Sequence, residues 1–216
     1  MFLILTLLAQ SDVYEPRLTF EPGVAVSYEM WPSGGNGTAG DDAFRDGMST
    51  AAQLALAYAW TPDEWSFELM LKPYVGYSYR KFDGLHFLMG ATDVKPDALT
   101  ITTAHGGLIL AAGSMPRGDE WGFLGYLDAQ GGWAWHERVR AFAPTLFAGS
   151  TELIDASQET YYGGGVGFEV RRAWVAVHIE LGVRNFGRAR QGSGVFVIDE
   201  QDIVLYYLQI GASFSF

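Results

Sequence analysis

"AWVAVHIELGVR", residues 173–184, carries two patterns at once. Val175, Val177, Ile179, Leu181 and Val183 share one parity, while Ala176, His178, Glu180, Gly182 and Arg184 share the other. Successive side chains of a β-strand point to opposite faces, so the stretch predicts a strand with one bulky aliphatic face and one small, polar, ionic face. Which face is inside decides the fold. A soluble barrel or sandwich, such as a lipocalin-like binding barrel, would bury the bulky face. The interior of an eight-stranded barrel is only just wide enough for side chains to fill, and the small ionic set suits it better. The bulky face then points outward into lipid, where closing the sheet satisfies every backbone group.

The same opposition recurs along the chain. Residues 17–30 set Leu18, Phe20, Val24, Val26, Tyr28 and Met30 against Glu21, Gly23, Ala25, Ser27 and Glu29. Residues 65–80 set Trp65, Phe67, Leu69, Leu71, Val75, Tyr77 and Tyr79 against Ser66, Glu68, Lys72, Gly76, Ser78 and Arg80. Residues 121–138 set Phe123, Leu127, Ala129, Trp133 and Trp135 against Tyr126, Asp128, Gln130, Gly132, His136 and Arg138. Around "TTAHGGL", residues 102–108, the parity slips, which predicts a β-bulge at the glycines and turns His105 toward lipid beside Thr103. Candidate strands begin near Arg17, Met48, Trp65, Ala98, Trp121, Glu159, Trp174 and Asp202.

The connections alternate in length. "TPDE", "PRGDE" and "RRA" are short, whereas "PSGGNGTAGDDAFRDG", "DGLHFLMGATDVKPD", "APTLFAGSTELIDASQ" and "GRARQGSGVFVIDE" are long and rich in Gly, Asp, Pro and Ser. That alternation predicts an all-β fold: a closed, antiparallel, up-and-down transmembrane barrel of eight strands. One domain over residues 17–216 suits the 216-residue length.

"MFLILTLLAQ", residues 1–10, reads as a secretory signal, followed by a short lead over residues 11–16. The formal net charge of -11 argues against a nucleic-acid partner, which needs a basic stripe. With no cysteine in the chain, disulfides and thiolate metal sites are excluded.

Tryptophan placement points the same way. Trp60, Trp65, Trp121 and Trp174 fall at the short-turn end, and Trp31, Trp133 and Trp135 toward the long-loop end. Indoles at both rims form the aromatic girdles of a membrane barrel, because an amphipathic ring prefers the headgroup level.

"DIVLYYLQIGASFSF", residues 202–216, keeps the alternation to Phe216. With the alternating loops and the signal-like start, it resembles the small outer-membrane β-barrels of Gram-negative bacteria, the group that includes the OmpA membrane domain, OmpX and OmpW. The resemblance implies an outer-membrane location with periplasmic termini. It also implies that Phe214 and Phe216 serve as a C-terminal signal read by the barrel-assembly machinery, with outer-membrane lipid and lipopolysaccharide as surroundings.

The polar face is the candidate site. Lys72, Asp128, Gln130, His178 and Glu180 are expected near mid-height of the lumen, with Glu68, Glu169 and Arg171 lower and Arg80, Arg138 and Arg184 higher. Charges in so narrow a space must pair, and Lys72 is expected to bridge Asp128 and Glu180. The H-x-E spacing of His178 and Glu180 lacks a third ligand, so no metal and no cofactor is expected. "YYGGGVGFEV" lacks the ending of a phosphate loop, and its glycines suit close backbone contacts in a curved wall. Lipid A-modifying barrels place a His, with a Ser two residues on, at the lipid face, and no such motif follows His105.

The loops collect Asp41, Asp42, Asp46, Asp83, Asp93, Asp97, Glu152, Asp155, Asp199 and Glu200, read as solvated acids, with "ELIDAS" and "GVFVIDEQ" extending strands beyond the membrane. The expectation is a non-enzymatic envelope protein with a plugged lumen, whose loops meet any surface ligand. A small pore or uptake channel is the alternative, and a lipid-modifying enzyme a third.

Overall fold

A computed structural model describes residues 17–31, 44–62, 67–85, 87–89, 92–114, 120–142, 150–193 and 202–216. The signal-like segment, Trp65 and "GVFVIDEQ" lie outside them. The strands in chain order are β1 (Arg17–Met30), β2 (Gly47–Trp60), β3 (Glu68–Phe82), β4 (Phe87–Met89), β5 (Thr92–Pro96), β6 (Leu99–Ser114), β7 (Trp121–His136), β8 (Val139–Phe142), β9 (Ser150–Ile154), β10 (Ser157–Arg172), β11 (Val175–Arg188) and β12 (Asp202–Phe214).

Eight of these close into an antiparallel barrel in the order β1-β12-β11-β10-β7-β6-β3-β2. Its stagger can be read from the pairing. The row through Ile210 reaches Gln158 by way of Val26, Thr50, Tyr79, Thr102 and Trp135. Taken the other way, through Ile179, it reaches Phe168, ten residues along the same strand. Such a stagger goes with strands tilted by roughly 35–45° to the barrel axis.

Every barrel strand turns an aliphatic side chain outward. Val24, Leu54, Val75, Leu110, Leu127, Val166, Leu181 and Ile210, one from each strand, are at least 50% exposed. Glu21, Lys72, Arg80, Glu169, Arg171, Glu180 and Arg184 are buried inside. The exterior is therefore the apolar surface and the lumen the ionic one, the arrangement of a barrel that spans a membrane. Trp121, Trp174, Trp133 and Trp135 lie exposed near the strand ends. Trp60 is half-buried beside Tyr58. Trp31 joins no girdle: it packs on Phe44 and Phe82.

Two expectations for β6 are corrected. The bulge at residues 102–108 is absent, since β6 pairs without a break with β3 and with β7. Ile101, Ile109 and Ala111 point inward while Leu108 and Leu110 point outward, so two apolar parities coexist on β6 and mimic a slip. His105 consequently faces the lumen. The register does shift on β11 between Asn185 and Arg188, where Gly187 takes φ 73° and donates its N–H to the Asn185 side chain.

The long loops also hold more structure than their composition suggests. β4, β5, β8 and β9 form a second sheet at the long-loop end, joined to the chain before β12 by a bridge between Ile154 and Gln191. Its inner face, including Val94, Val139, Ala141, Leu153 and Ile154, packs with Leu99, Ile101, Tyr161, Phe186 and Leu205 from the barrel mouth into one apolar cluster. A polar loop sequence therefore carries the lid of the barrel. At the opposite end the β10–β11 turn is only Ala173 and Trp174, and Ala173 adopts φ 52°. A positive φ at the first central residue is the pattern of a II′ hairpin, whose twist matches the flanking strands.

Candidate functional site

The lumen is layered, and each layer follows from which strands the stagger brings together. In the lower layer, Lys72 of β3 reaches Glu21 of β1 at 2.9 Å and Glu169 of β10 at 3.1 Å. Arg171 donates to the same two carboxylates, with one contact to Glu21 of 2.8 Å. Two cations and two carboxylates thus close a neutral tetrad. Lys72 does not bridge Asp128 and Glu180, which corrects the expected pairing. Below the tetrad, Ala57, Ala59 and Met70 cluster with Ala111 and Leu124 and, together with Arg171 and Ser215, line a cavity of ≈110 Å³.

In the middle layer, carboxylates meet phenols. Tyr74 donates to Asp128 at 2.9 Å, and the Gln130 amide donates to Asp128 at 3.1 Å. Tyr161 in turn donates to the Gln130 carbonyl at 2.6 Å. Glu180 accepts from Tyr126 at 3.0 Å and from Tyr207. His178 lies edge-on to Tyr126, and His105, bonded to Thr103, contacts the rings of Tyr74 and Tyr161.

In the upper layer, Glu29 stands between two arginines. Arg80 reaches it at 3.1 Å and Arg184 at 2.6 Å, while Ser27 and Ser49 donate to the same oxygen. Arg184 also donates to Gln209 at 2.7 Å and lies 3.6 Å from the Tyr207 ring centroid. Arg80 sits 4.6 Å from the centroid of Phe186, where the ionic layer gives way to the apolar lid. A guanidinium over an aromatic face gains electrostatically from the ring quadrupole, which suits it to that boundary.

Between these layers the lumen keeps a void of ≈20 Å³, lined in part by Asp128, His178, Glu180 and Gln209. That is room for about one water. Among the described lumen residues, Lys72, Arg80, Arg171 and Arg184 face five buried carboxylates: Glu21, Glu29, Asp128, Glu169 and Glu180. No group of three or more His, Cys, Asp or Glu among the described residues is arranged to hold a metal.

The chain combines eight strands, closure, an outward aliphatic wall and an ionic lumen. The fold is that of the small outer-membrane β-barrels. No family model matches the chain, and no curated relative does. Among solved structures it is similar to Neisserial surface protein A, with 12% identity, 94% of this chain and 100% of that chain covered, and a TM-score of 0.41. It is likewise similar to Ail, the attachment invasion locus protein of Yersinia pestis, at 12% identity, 94% and 100% coverage and a TM-score of 0.36. The translocator domain of the autotransporter NalP from Neisseria meningitidis gives 9% identity, 91% and 88% coverage and a TM-score of 0.41. The fold stands on the register of the chain's own strands.

Two residues of the expected lumen set stand apart from this network. Arg138 lies outside the lumen, between β7 and β8, where it pairs with Glu152 at 2.9 Å and Asp155 at 3.4 Å. The barrel strand ends at His136, so the parity that pointed Arg138 inward stops two residues too early for it. Glu68, half-buried at the start of β3, takes no part in the tetrad. In the second sheet, the hydroxyl of Ser193 donates to Glu152 at 2.6 Å, which together with Arg138 holds that carboxyl below the usual carboxylate range.

The candidate set also misses Glu21, Glu29 and the tyrosines. The tyrosines had a signal in the glycines. A Cβ on Gly107 would run into the ring of Tyr74, one on Gly167 into Tyr126 and one on Gly182 into Tyr207. Each of these three phenols lies across a bare patch of backbone on the neighbouring strand, and Gly165 and Gly167 of "YYGGGVGFEV" are part of that arrangement.

Proposed function

We propose that the protein is a non-enzymatic envelope barrel of a Gram-negative outer membrane, with a sealed lumen that serves as a rigid stand for the sheet and loops at its long-loop end. The observation that carries this reading is the layered closure: a neutral tetrad, a phenol–carboxylate layer and an arginine–glutamate layer enclose a void of ≈20 Å³ beneath an apolar lid, and the cavity of ≈110 Å³ at the short-turn end is bounded by Arg171 of the tetrad. Among the described residues a lipid-modifying activity finds no support at the wall, because His105 and His178 face the lumen and His136 is buried. The short-turn end, where Phe20 and Phe216 exchange backbone hydrogen bonds, is assigned to the periplasm, and the sheet of β4, β5, β8 and β9 to the outside. Outer-membrane lipid, lipopolysaccharide and, through Phe214 and Phe216, the assembly machinery are the proposed partners. The protein reconstituted in planar lipid bilayers is expected to show no steady single-channel conductance. Reproducible conductance steps would replace this reading with the pore.

A further inference from the structure

The outer wall is not uniformly convex. Across β3, β2, β1, β12 and β11, one pairing row on the lipid side reads Tyr77, Ala52, Val24, Ala212 and Val177. The alanines on either side of Val24 leave a trough of ≈600 Å³ whose floor reaches Ala25, Ala51 and Gly211. Thr50, Val26 and Ile210 of the next row bound it, and Tyr77 and Tyr79 stand at one end. Four interstrand steps make it about 20 Å long. Because the strands are tilted, a trough along the row runs oblique to the membrane, and its rise is comparable with the ~15 Å depth of one leaflet.

We propose that this trough seats one acyl chain of a membrane lipid. The proposal rests on the membrane-spanning reading of the barrel. The trough lies on the outward face, so its surroundings are hydrocarbon, and a depression left empty would forfeit dispersion contacts along its whole lining. Thr50 is the only aliphatic-hydroxyl side chain in it, and no charged side chain lines it. A second copy of the chain fits poorly. A two-fold dimer centred here would set trough against trough and enlarge the gap, because an isologous contact must be self-complementary. A flexible chain of methylenes has the width and length that remain.

The test is native mass spectrometry of the full chain, extracted with mild detergent from vesicles of palmitoyl-oleoyl phosphatidylcholine. The native protein is expected to retain a single lipid adduct. Ala52→Phe combined with Ala212→Phe fills the trough and should lose it, whereas Leu110→Phe on a different part of the wall should keep it. If the filled variant does not insert, Tyr79→Ala with Tyr77→Ala removes the end wall instead and should weaken retention. Equal adducts in native and altered proteins, or none on the native one, overturn the proposal. A native dimer dispersed by the filled variant also overturns it, in favour of a second copy. Failure of the native chain to enter vesicles at all would strike the membrane reading itself.

Discussion

Glu29 shows how much can depend on one carboxylate. It is fully buried, and it is the shared ion-pair partner of Arg80 and Arg184, both also buried. Glu29→Gln removes the charge and leaves two guanidiniums facing each other in a low-dielectric space, so urea unfolding in vesicles should show a loss of at least ~3 kcal/mol. Lys72→Met should cost less than this, because Arg171 still bridges Glu21 and Glu169. An equal or smaller loss for Glu29→Gln would mean that the upper layer is wetter than its burial implies. Arg184 Nε and one oxygen of Glu29 lack hydrogen-bond partners, and such atoms are where an ordered water would enter.

At the scale of the strand, parity was the legible quantity. The outward and inward sets of β1, β3, β7 and β11 follow directly from alternation, and so do the positions of the eight long strands. Partnership across the lumen was not legible. Which side chains meet there depends on the ten-residue stagger, a property of the closed sheet that no single strand encodes. The stagger sends Lys72 to Glu21 and Glu169 and leaves Asp128 and Glu180 to the tyrosines. Tyr126 already stood in the inward parity of its strand, but the role of the inward tyrosines was hidden for a different reason: a phenol is as bulky as a wall residue, and the glycine on the next strand is what marks it as a lumen group. Gly167→Ala tests that pairing. The added methyl collides with the Tyr126 ring, so the ring must move and Glu180 loses a donor. A loss of about 1–3 kcal/mol in the same unfolding assay is expected. The same exchange at outward-facing Gly131, where a Cβ would meet only a carbonyl oxygen at 3.5 Å, should be nearly neutral.

For the molecule as a whole, the barrel is an inverted globule whose solvent-facing surface is aliphatic. Leu181, 55% exposed on the wall, is buried once lipid surrounds it. Leu181→Arg should therefore cost ~2–4 kcal/mol in vesicles if that position lies near the bilayer midplane. Unchanged stability would invert the assignment of the faces. The apolar lid and the ionic layers are two separate closures, and removing one tells which of them seals the lumen. Replacing β4 and β5 by a short Gly-Ser turn, and β8 and β9 likewise, strips Val94, Val139, Ala141, Leu153 and Ile154 from the cluster over the mouth. Leu99, Ile101, Phe186 and Leu205 would then face water, so the variant should unfold at lower urea. The ion pairs beneath belong to barrel strands alone, and nothing in their geometry depends on the lid. The shortened barrel is therefore expected to fold in vesicles and to remain non-conducting in planar bilayers. A steady conductance would place the seal in the lid and make the ionic layers a permeable filter.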